Sequence, residues 1–304
     1  EVINISSLSG DVRTEFTGFT DLTAKARVME IVREKKRVAI ALDRSPFYAE
    51  MGGQVGDSGT ASANGQTWIV TDTQKAGDAF LHYLRGDSVP EQGEELEVSV
   101  DVARRAAIQR HHTVTHLFHW ALHEVTSPAS TQKGSYVGTE KLTFDFNCQA
   151  LSQGQVADIE RLVNERILEN EAVSTAVLPH EEVASRDDIL QFFGEKYGNL
   201  VRVVQIGGQE GSLNGYSMEL CGGTHTRATG ELGLFRITSE SAIAAGIRRV
   251  EAVAGLVAAQ QARVDAGRIM ELAEMLNSPI KNIEQKVEQA LEQTKKLEKQ
   301  LKSI

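Results

Sequence analysis

Cysteine is nearly missing from this chain: Cys148 and Cys221 are the only two among 304 residues. A secreted scaffold held by disulfides would carry more, so the shortage points to a reducing, cytoplasmic setting. No apolar run approaches the roughly 18 residues that a membrane-spanning helix needs, and no membrane partner is expected. The first residues, Glu1-Val2-Ile3-Asn4, form neither a basic nor an apolar stretch, so no signal peptide is expected. A starting Met is missing too, and a piece of a longer chain is the expectation. Positive charge is in deficit, with 32 Lys and Arg against 42 Asp and Glu, a net charge of −10. That excludes a grip on nucleic acid by bulk electrostatics but not a local basic patch. Arg104, Arg105 and Arg110, and later Arg248 and Arg249, are candidates for such a patch. The plainer reading of these arginines is solvated surface.

What is present is ordinary for a globular protein: 41% hydrophobic and 24% charged residues, in a length that holds two or three domains. Up to about residue 100 the pattern is of short strands. Val38–Asp43 is a compact apolar run, while Thr67–Asp72 and Glu95–Val100 alternate, with glycines such as Gly52, Gly53, Gly59 and Gly65 between them. A small N-terminal β-barrel is expected. After Asp101, Val114, Leu117, Phe118, Ala121, Leu122 and Val125 recur at helical spacing, with His112 and His116 expected at the start of that helix. A strand at Leu142–Phe146, a helix carrying Val156, Ile159, Leu162, Val163 and Ile167, and strands at Val201–Ile206 and Leu232–Thr238 give an α+β middle. From Gly255 the chain reads as helical, with Ser278-Pro279 as a cap and restart. Ile280, Ile283, Val287, Ala290, Thr294, Leu297, Leu301 and Ile304 form a heptad seam of a C-terminal helical or coiled-coil arm. An antiparallel helix pair could also bury that seam, and oligomerisation through the arm stays open.

Two motifs carry metal chemistry. His112-Thr113-Val114-Thr115-His116 puts two imidazoles on one helix face, because residues i and i+4 are neighbours there. Cys221-Gly222-Gly223-Thr224-His225 puts a thiolate and an imidazole on either side of Gly-Gly, a flexible turn that lets them converge. Two His, one Cys and a third His make a tetrahedral set suited to Zn²⁺. No Glu follows the first His, so the metalloprotease pattern HExxH is absent. Four protein ligands normally close a structural site, yet ligands about 105 residues apart fit a cleft better than a small zinc module. Between Asp43 and Gly59 lies a third segment, Ser45-Pro46-Phe47-Tyr48-Ala49-Glu50-Met51-Gly52-Gly53-Gln54-Val55-Gly56-Asp57. It is either a plain glycine-rich turn or a loop that brings its backbone, and the uncharged donor and acceptor Gln54, to a ligand.

With those segments in order, the chain resembles the editing region of alanyl-tRNA synthetases and their free-standing relatives, the AlaX proteins. The matching stretches are Ser45–Glu50 with Gly52–Asp57, His112–Leu117, Phe193-Gly194-Glu195-Lys196-Tyr197, Glu219–His225 and Gly246–Val253. Threonyl-tRNA synthetase shares the zinc-type motifs but lacks the Pro-Phe-Tyr and Gly-Gly-Gln loop. The resemblance implies a barrel at 1–100, a zinc-containing editing core at 101–254 and a helical arm at 255–304, with no aminoacylation domain. It implies hydrolysis of tRNA(Ala) wrongly charged with serine or glycine, by zinc held on His112, His116, Cys221 and His225. Gln54 matches the glutamine that lines the family's editing pocket, and Ser45 stands where Thr is usual. Gln54 and Glu219 are then the catalytic candidates, with Glu50 a weaker one. Ser45, Gln54, Thr113, Gly222, Gly223 and Thr224 are candidates for substrate contact, and Arg104, Arg105, Arg248 and Arg249 for tRNA contact. A second, hydrolytic sieve is the expected remedy when one small side-chain group carries too little binding energy to be told apart. The arm favours a synthetase segment over a free-standing trans-editing deacylase. The reading of a different class is a zinc-stapled RNA-binding module without catalysis.

Overall fold

In–out alternation along Glu95–Val100 is what a barrel wall requires, and that segment is a wall of one. The computed structural model describes residues 12–34, 37–86, 88–191 and 198–302. The Phe193–Tyr197 stretch and Ile304 lie outside the described residues. A short parallel pair, β1 (Glu15–Phe16) with β4 (Arg44–Ser45), flanks a closed six-stranded barrel. The barrel strands are β2 (Thr23–Glu34), β3 (Arg37–Leu42), β5 (Gly59–Ala63), β6 (Gln66–Ala76), β7 (Ala79–Leu84) and β8 (Glu95–Val100). They close in the order β2-β3-β7-β6-β5-β8 around Val28, Leu42, Trp68, Val70, Leu96 and Val98. β7 shows no alternation because all six of its residues are buried. Ala39, Ala41, Leu81 and Tyr83 form a second apolar cluster of their own.

The next helix, α1 (Val102–Val125), starts ten residues before His112. His112 and His116 therefore sit in mid-helix, not at the start. Asp101 caps it, its carboxylate accepting from the Arg104 backbone N–H at 3.0 Å. The apolar period begins late because, apart from Ile108, the first half of the buried face is carried by Arg105, His111 and His112 rather than by hydrocarbon. β9 (Gln132–Val137), β10 (Leu142–Asn147) and α2 (Gln153–Glu169) follow, the last closed by a capping box at Ser152 and Gln155. Then come β11 (Val173–Pro179), the short α3 (His180–Val183), β12 (Leu200–Ile206), β13 (Ser217–Leu220), β14 (Phe235–Ala244) and β15 (Ile247–Ala254). β14-β15-β10-β9 make one sheet and β11-β12-β13 another. The strand expected from Leu232 begins instead at Phe235, because Thr229–Leu232 is a 3₁₀ turn ended by Gly233 at φ +68°. α1 and α2 pack Phe118, Ile159 and Val163 against Phe144 and Phe146 of β10, Phe235 of β14 and Val250 of β15. Each such side chain, fully buried, is worth about 1.5–3 kcal/mol.

Leu256–Ile304 form a second unit, apart from Glu1–Gly255. It holds α4 (Leu256–Met275) and α5 (Ile283–Leu301). Ser278 does not cap α5 as expected: Pro279 opens a 3₁₀ turn over Ile280–Asn282, and α5 starts after it with no side-chain cap. The α5 seam has no buried residue. No helix among the described residues is long and apolar enough to cross a membrane.

Candidate metal centre

α1 presents His112 and His116 one turn apart, their rings stacked at 5.5 Å between centroids. The other two candidates come from the loop after β13. Its carbonyls at Cys221 and Gly223 both accept from Arg202 Nη1 at 2.9 Å, which fixes the loop on β12. One donor atom from each of His112, His116, Cys221 and His225 lies within 4.8 Å of all the others. Cys221 Sγ is 3.4 Å from His112 Nε2 and 3.3 Å from His225 Nε2. Ligands at zinc–nitrogen and zinc–sulfur bond lengths stand roughly 3.3–3.6 Å apart at the corners of a tetrahedron. The donor set therefore fits a small tetrahedral cation.

The hydrogen bonds behind the imidazoles sharpen that fit. Gln54 Oε1 accepts from the Thr224 backbone N–H at 2.9 Å, and a backbone N–H can only donate, which identifies the amide's oxygen. The same oxygen faces His112 Nδ1 at 2.7 Å, so Nδ1 carries the proton and Nε2 offers its lone pair. Glu219 does the same for His116, accepting from Nδ1 at 2.7 Å. His116 Nε2 is left buried without a partner. Thr113 Oγ1 accepts from Thr226 N–H at 3.1 Å and keeps a lone pair for His225 Nδ1, also at 3.1 Å. Three imidazoles are thus held by Nδ1 with Nε2 turned toward one point, the arrangement that orients metal-binding histidines.

Electrostatics run the same way. Burial alone would raise the Cys221 thiol, but its interactions with the neighbouring His112 and His225 carry it well below the usual thiol range. Burial pushes His225 down to about 3, so it is neutral at physiological pH. Burial also works against the charged form of His116, yet Glu219 reverses the sign and raises it. Glu219 itself would be raised by burial and is instead held well below the carboxylate range by His116 and His119.

The remaining expected site residues fall into three places. Gln54, Thr113 and Thr224 are at the cluster, and Gln54 Nε2 donates to Thr224 Oγ1 at 2.9 Å. Gly223 is there for a steric reason: a methyl group would overlap the His112 ring and stand 2.8 Å from Gln54 Oε1. Its φ is not positive, so close approach and not turn flexibility explains it, while Gly222 faces open space. The paired glycines of the Gln54 loop are the flexible ones, Gly52 at φ +60° and Gly53 at φ +84°. Glu219 touches His116 on the side away from Nε2 and also accepts from His119 Nδ1 at 2.9 Å. It is a positioning residue for the imidazole, which does not suit the role of catalytic base. Ser45 lies in β4 beside the barrel, fully buried; its hydroxyl donates to His82 Nε2 at 2.7 Å and accepts from Phe47 N–H at 3.1 Å. His82, lowered by burial to about 4, is neutral and donates from Nδ1 to the Ile40 carbonyl. Ser45 therefore shapes its loop from inside. Glu50 is exposed and accepts from Gln74 Nε2 of the adjacent β6 at 3.0 Å.

The arginines divide. Arg105 is 1% exposed and pairs with Asp57 while donating to the Gly18 and Pro46 carbonyls, both at 2.8 Å. No phosphate reaches a guanidinium so enclosed, and Arg105 is corrected from a tRNA contact to the clamp that holds the Gln54 loop on α1. Arg104 donates to the Gly56 carbonyl at 2.6 Å. Arg248 is paired with Glu240 and Arg249 with Asp145, both bidentate. Nothing local in the sequence gives Asp57 or His119 a role; only their three-dimensional partners, Arg105 and Glu219, mark them.

Residues 201–251 match the family described as threonyl and alanyl tRNA synthetase second additional domain, and residues 5–104 match tRNA synthetases class II (A). The chain is 44% identical over 265 residues to an alanine–tRNA ligase of Akkermansia muciniphila, covering 86% of this chain and 28% of that protein. A ligase of Methylacidiphilum infernorum is 46% identical over 244 residues, 80% of this chain and 25% of the relative. One of Acidithiobacillus ferridurans is 41% identical over 303 residues, 96% of this chain and 34% of the relative. The chain thus spans about a quarter to a third of the relatives it matches.

Proposed function

The chain belongs to the alanyl-tRNA synthetase family, and on that premise we propose that it is the part that hydrolyses tRNA(Ala) mischarged with serine or glycine. In this reading His112, His116, Cys221 and His225 hold a zinc ion. The carrying observation is the set of three imidazoles fixed through Nδ1 by Gln54, Glu219 and Thr113, with their free nitrogens directed to one point beside Cys221. Zinc bound there supplies a Lewis acid for ester hydrolysis. The protein's own residues orient and select. Cys221 and His225 are the half-buried members of the cluster and Gly222 borders open space, so the mischarged end arrives from that side. Gln54 and Thr224, buried and hydrogen-bonded to each other behind that side, are the proposed selecting groups, polar groups that serine's hydroxyl can satisfy once the substrate is seated and alanine's methyl cannot. Arg104, Arg248 and Arg249 remain the proposed tRNA contacts. A match that runs through the arm supports a synthetase segment over a free-standing deacylase.

One observation favours a second reading. Four protein ligands fill a tetrahedral shell, and filled shells are usually structural. Release of serine from Ser-tRNA(Ala) separates the two. The wild-type protein is expected to release serine and to carry about one zinc per chain, and a His112→Ala, His116→Ala variant to do neither. Wild-type release no faster than that of the double variant, at high protein concentration and low salt to retain weak tRNA binding, sinks the deacylase reading.

A further inference from the structure

Phe19 is 48% exposed, yet its ring is held on two sides. The Arg202 guanidinium lies over it at 4.1 Å from the centroid, and Phe16 meets it edge-on at 4.8 Å. The backbone beneath is equally fixed. The Gly18 carbonyl accepts from Arg105 Nη1 at 2.8 Å, and Thr17 N–H donates to the Ser45 carbonyl at 2.9 Å. A side chain at Gly18 would run into the Pro46 carbonyl oxygen and the Phe16 ring. The arginine that covers Phe19 is also the one that holds the Cys221 and Gly223 carbonyls. A rigid, half-open aromatic ring therefore stands one side chain away from the metal-binding loop.

We propose that Phe19, backed by Arg202, is the platform on which the nucleobase of the aminoacylated terminal nucleotide stacks. The proposal rests on the deacylase reading above. With the ester beside Cys221 and His225, the attached nucleoside lies a ribose away and needs a surface of its own. Every base has a π-face, and a ring already fixed in place loses little freedom when a base covers it. A cation on the ring's other side adds to the attraction by polarising it. Arg202 then serves both ends of the substrate, setting the loop that faces the ester and the ring that faces the base.

The test compares two substrates, Ser-tRNA(Ala) and the same molecule with an abasic terminal nucleotide, across Phe19→Ala, Phe19→Leu and Phe19→Trp. Phe19→Ala is expected to raise KM for the intact substrate about 5- to 100-fold. It leaves the abasic substrate and the metal content as in wild type. Phe19→Trp restores the intact substrate and Phe19→Leu, apolar but without a π-face, does not. An unchanged KM in Phe19→Ala overturns the platform. So does an equal loss on both substrates, or a loss of metal, since either means that Phe19 only props Arg202. Rescue by Leu overturns it as well. Should wild-type protein release no serine from the intact substrate, the deacylase reading itself fails and the platform goes with it.

Discussion

α1 and α5 are long helices of 24 and 19 residues that are held in opposite ways. α1 buries thirteen residues, and seven of them are polar: Arg105, His111, His112, Thr113, Thr115, His116 and His119. α5 has an apolar seam of clear heptad spacing and buries nothing, with Val287 40% and Leu297 52% exposed. Burial is therefore decided by what is offered to a face, not by how apolar it is. Each of these polar side chains has at least one hydrogen-bond partner, and His116 Nε2 and His119 Nε2 are the buried α1 atoms that have none among the described residues. Asp57 meets Arg105, the Gly138 carbonyl and Ala254 N–H meet the two nitrogens of His111, Gln54 meets His112, and Glu219 meets both His116 and His119. A buried polar group costs little when its hydrogen bonds are made and a great deal when one is missing.

The largest way to break this contrast is to withdraw a partner inside α1. Arg105→Met strips buried Asp57 of its close ion pair, leaving it the Tyr48 N–H and Arg104 at 4.0 Å, and is expected to cost about 3–5 kcal/mol in urea unfolding. A loss below about 1 kcal/mol would mean that α1 is not held by its polar partners. Next in size is Glu219→Gln, which keeps the shape but removes the charge that fixes His116. Metal affinity, read by competition with a chelator, is expected to fall about 10- to 100-fold. A third measurement follows the same affinity from about pH 8 to about pH 6. His116 is raised and must lose its proton to bind metal, so affinity falls as pH falls. In Glu219→Gln the slope is shallower, because nothing holds the extra proton; an identical slope would remove Glu219 from the account. The smallest effect belongs to α5. Leu297→Ala is expected to change stability by no more than about 0.5 kcal/mol, as at an ordinary exposed position. A loss of about 2–5 kcal/mol in the same assay would show that the seam is buried by a partner in solution.

The two helices also mark what was legible beforehand. The β-barrel, the strand at Leu142–Asn147, the α2 helix and the four clustered His and Cys residues could be read because alternation, helical period and i,i+4 spacing are local. α1's first ten residues could not, since Arg105, His111 and His112 occupy core positions without an apolar signal. β7 was hidden by burial on both sides. At the site, the ligand types were visible but their support was not. Glu219 and Gln54 stood out, yet as reacting groups, because their role depends on which ring nitrogen they face. Arg105 read as surface charge for the same reason: Asp57 is 48 residues away along the chain.

Gln54 joins His112, 58 residues on, and Thr224, 170 residues on, through one amide. That span sets an order of events. The barrel and α1 can leave the ribosome and pack while Cys221 and His225 are still untranslated. During that interval His112 and His116 are half of the cluster, without Cys221 and His225. Closure of so long a loop comes late in folding, after the local contacts have formed. The four-residue cluster is thus the last part of this scaffold to assemble, and a chain that stalls before residue 221 has a barrel but no cluster.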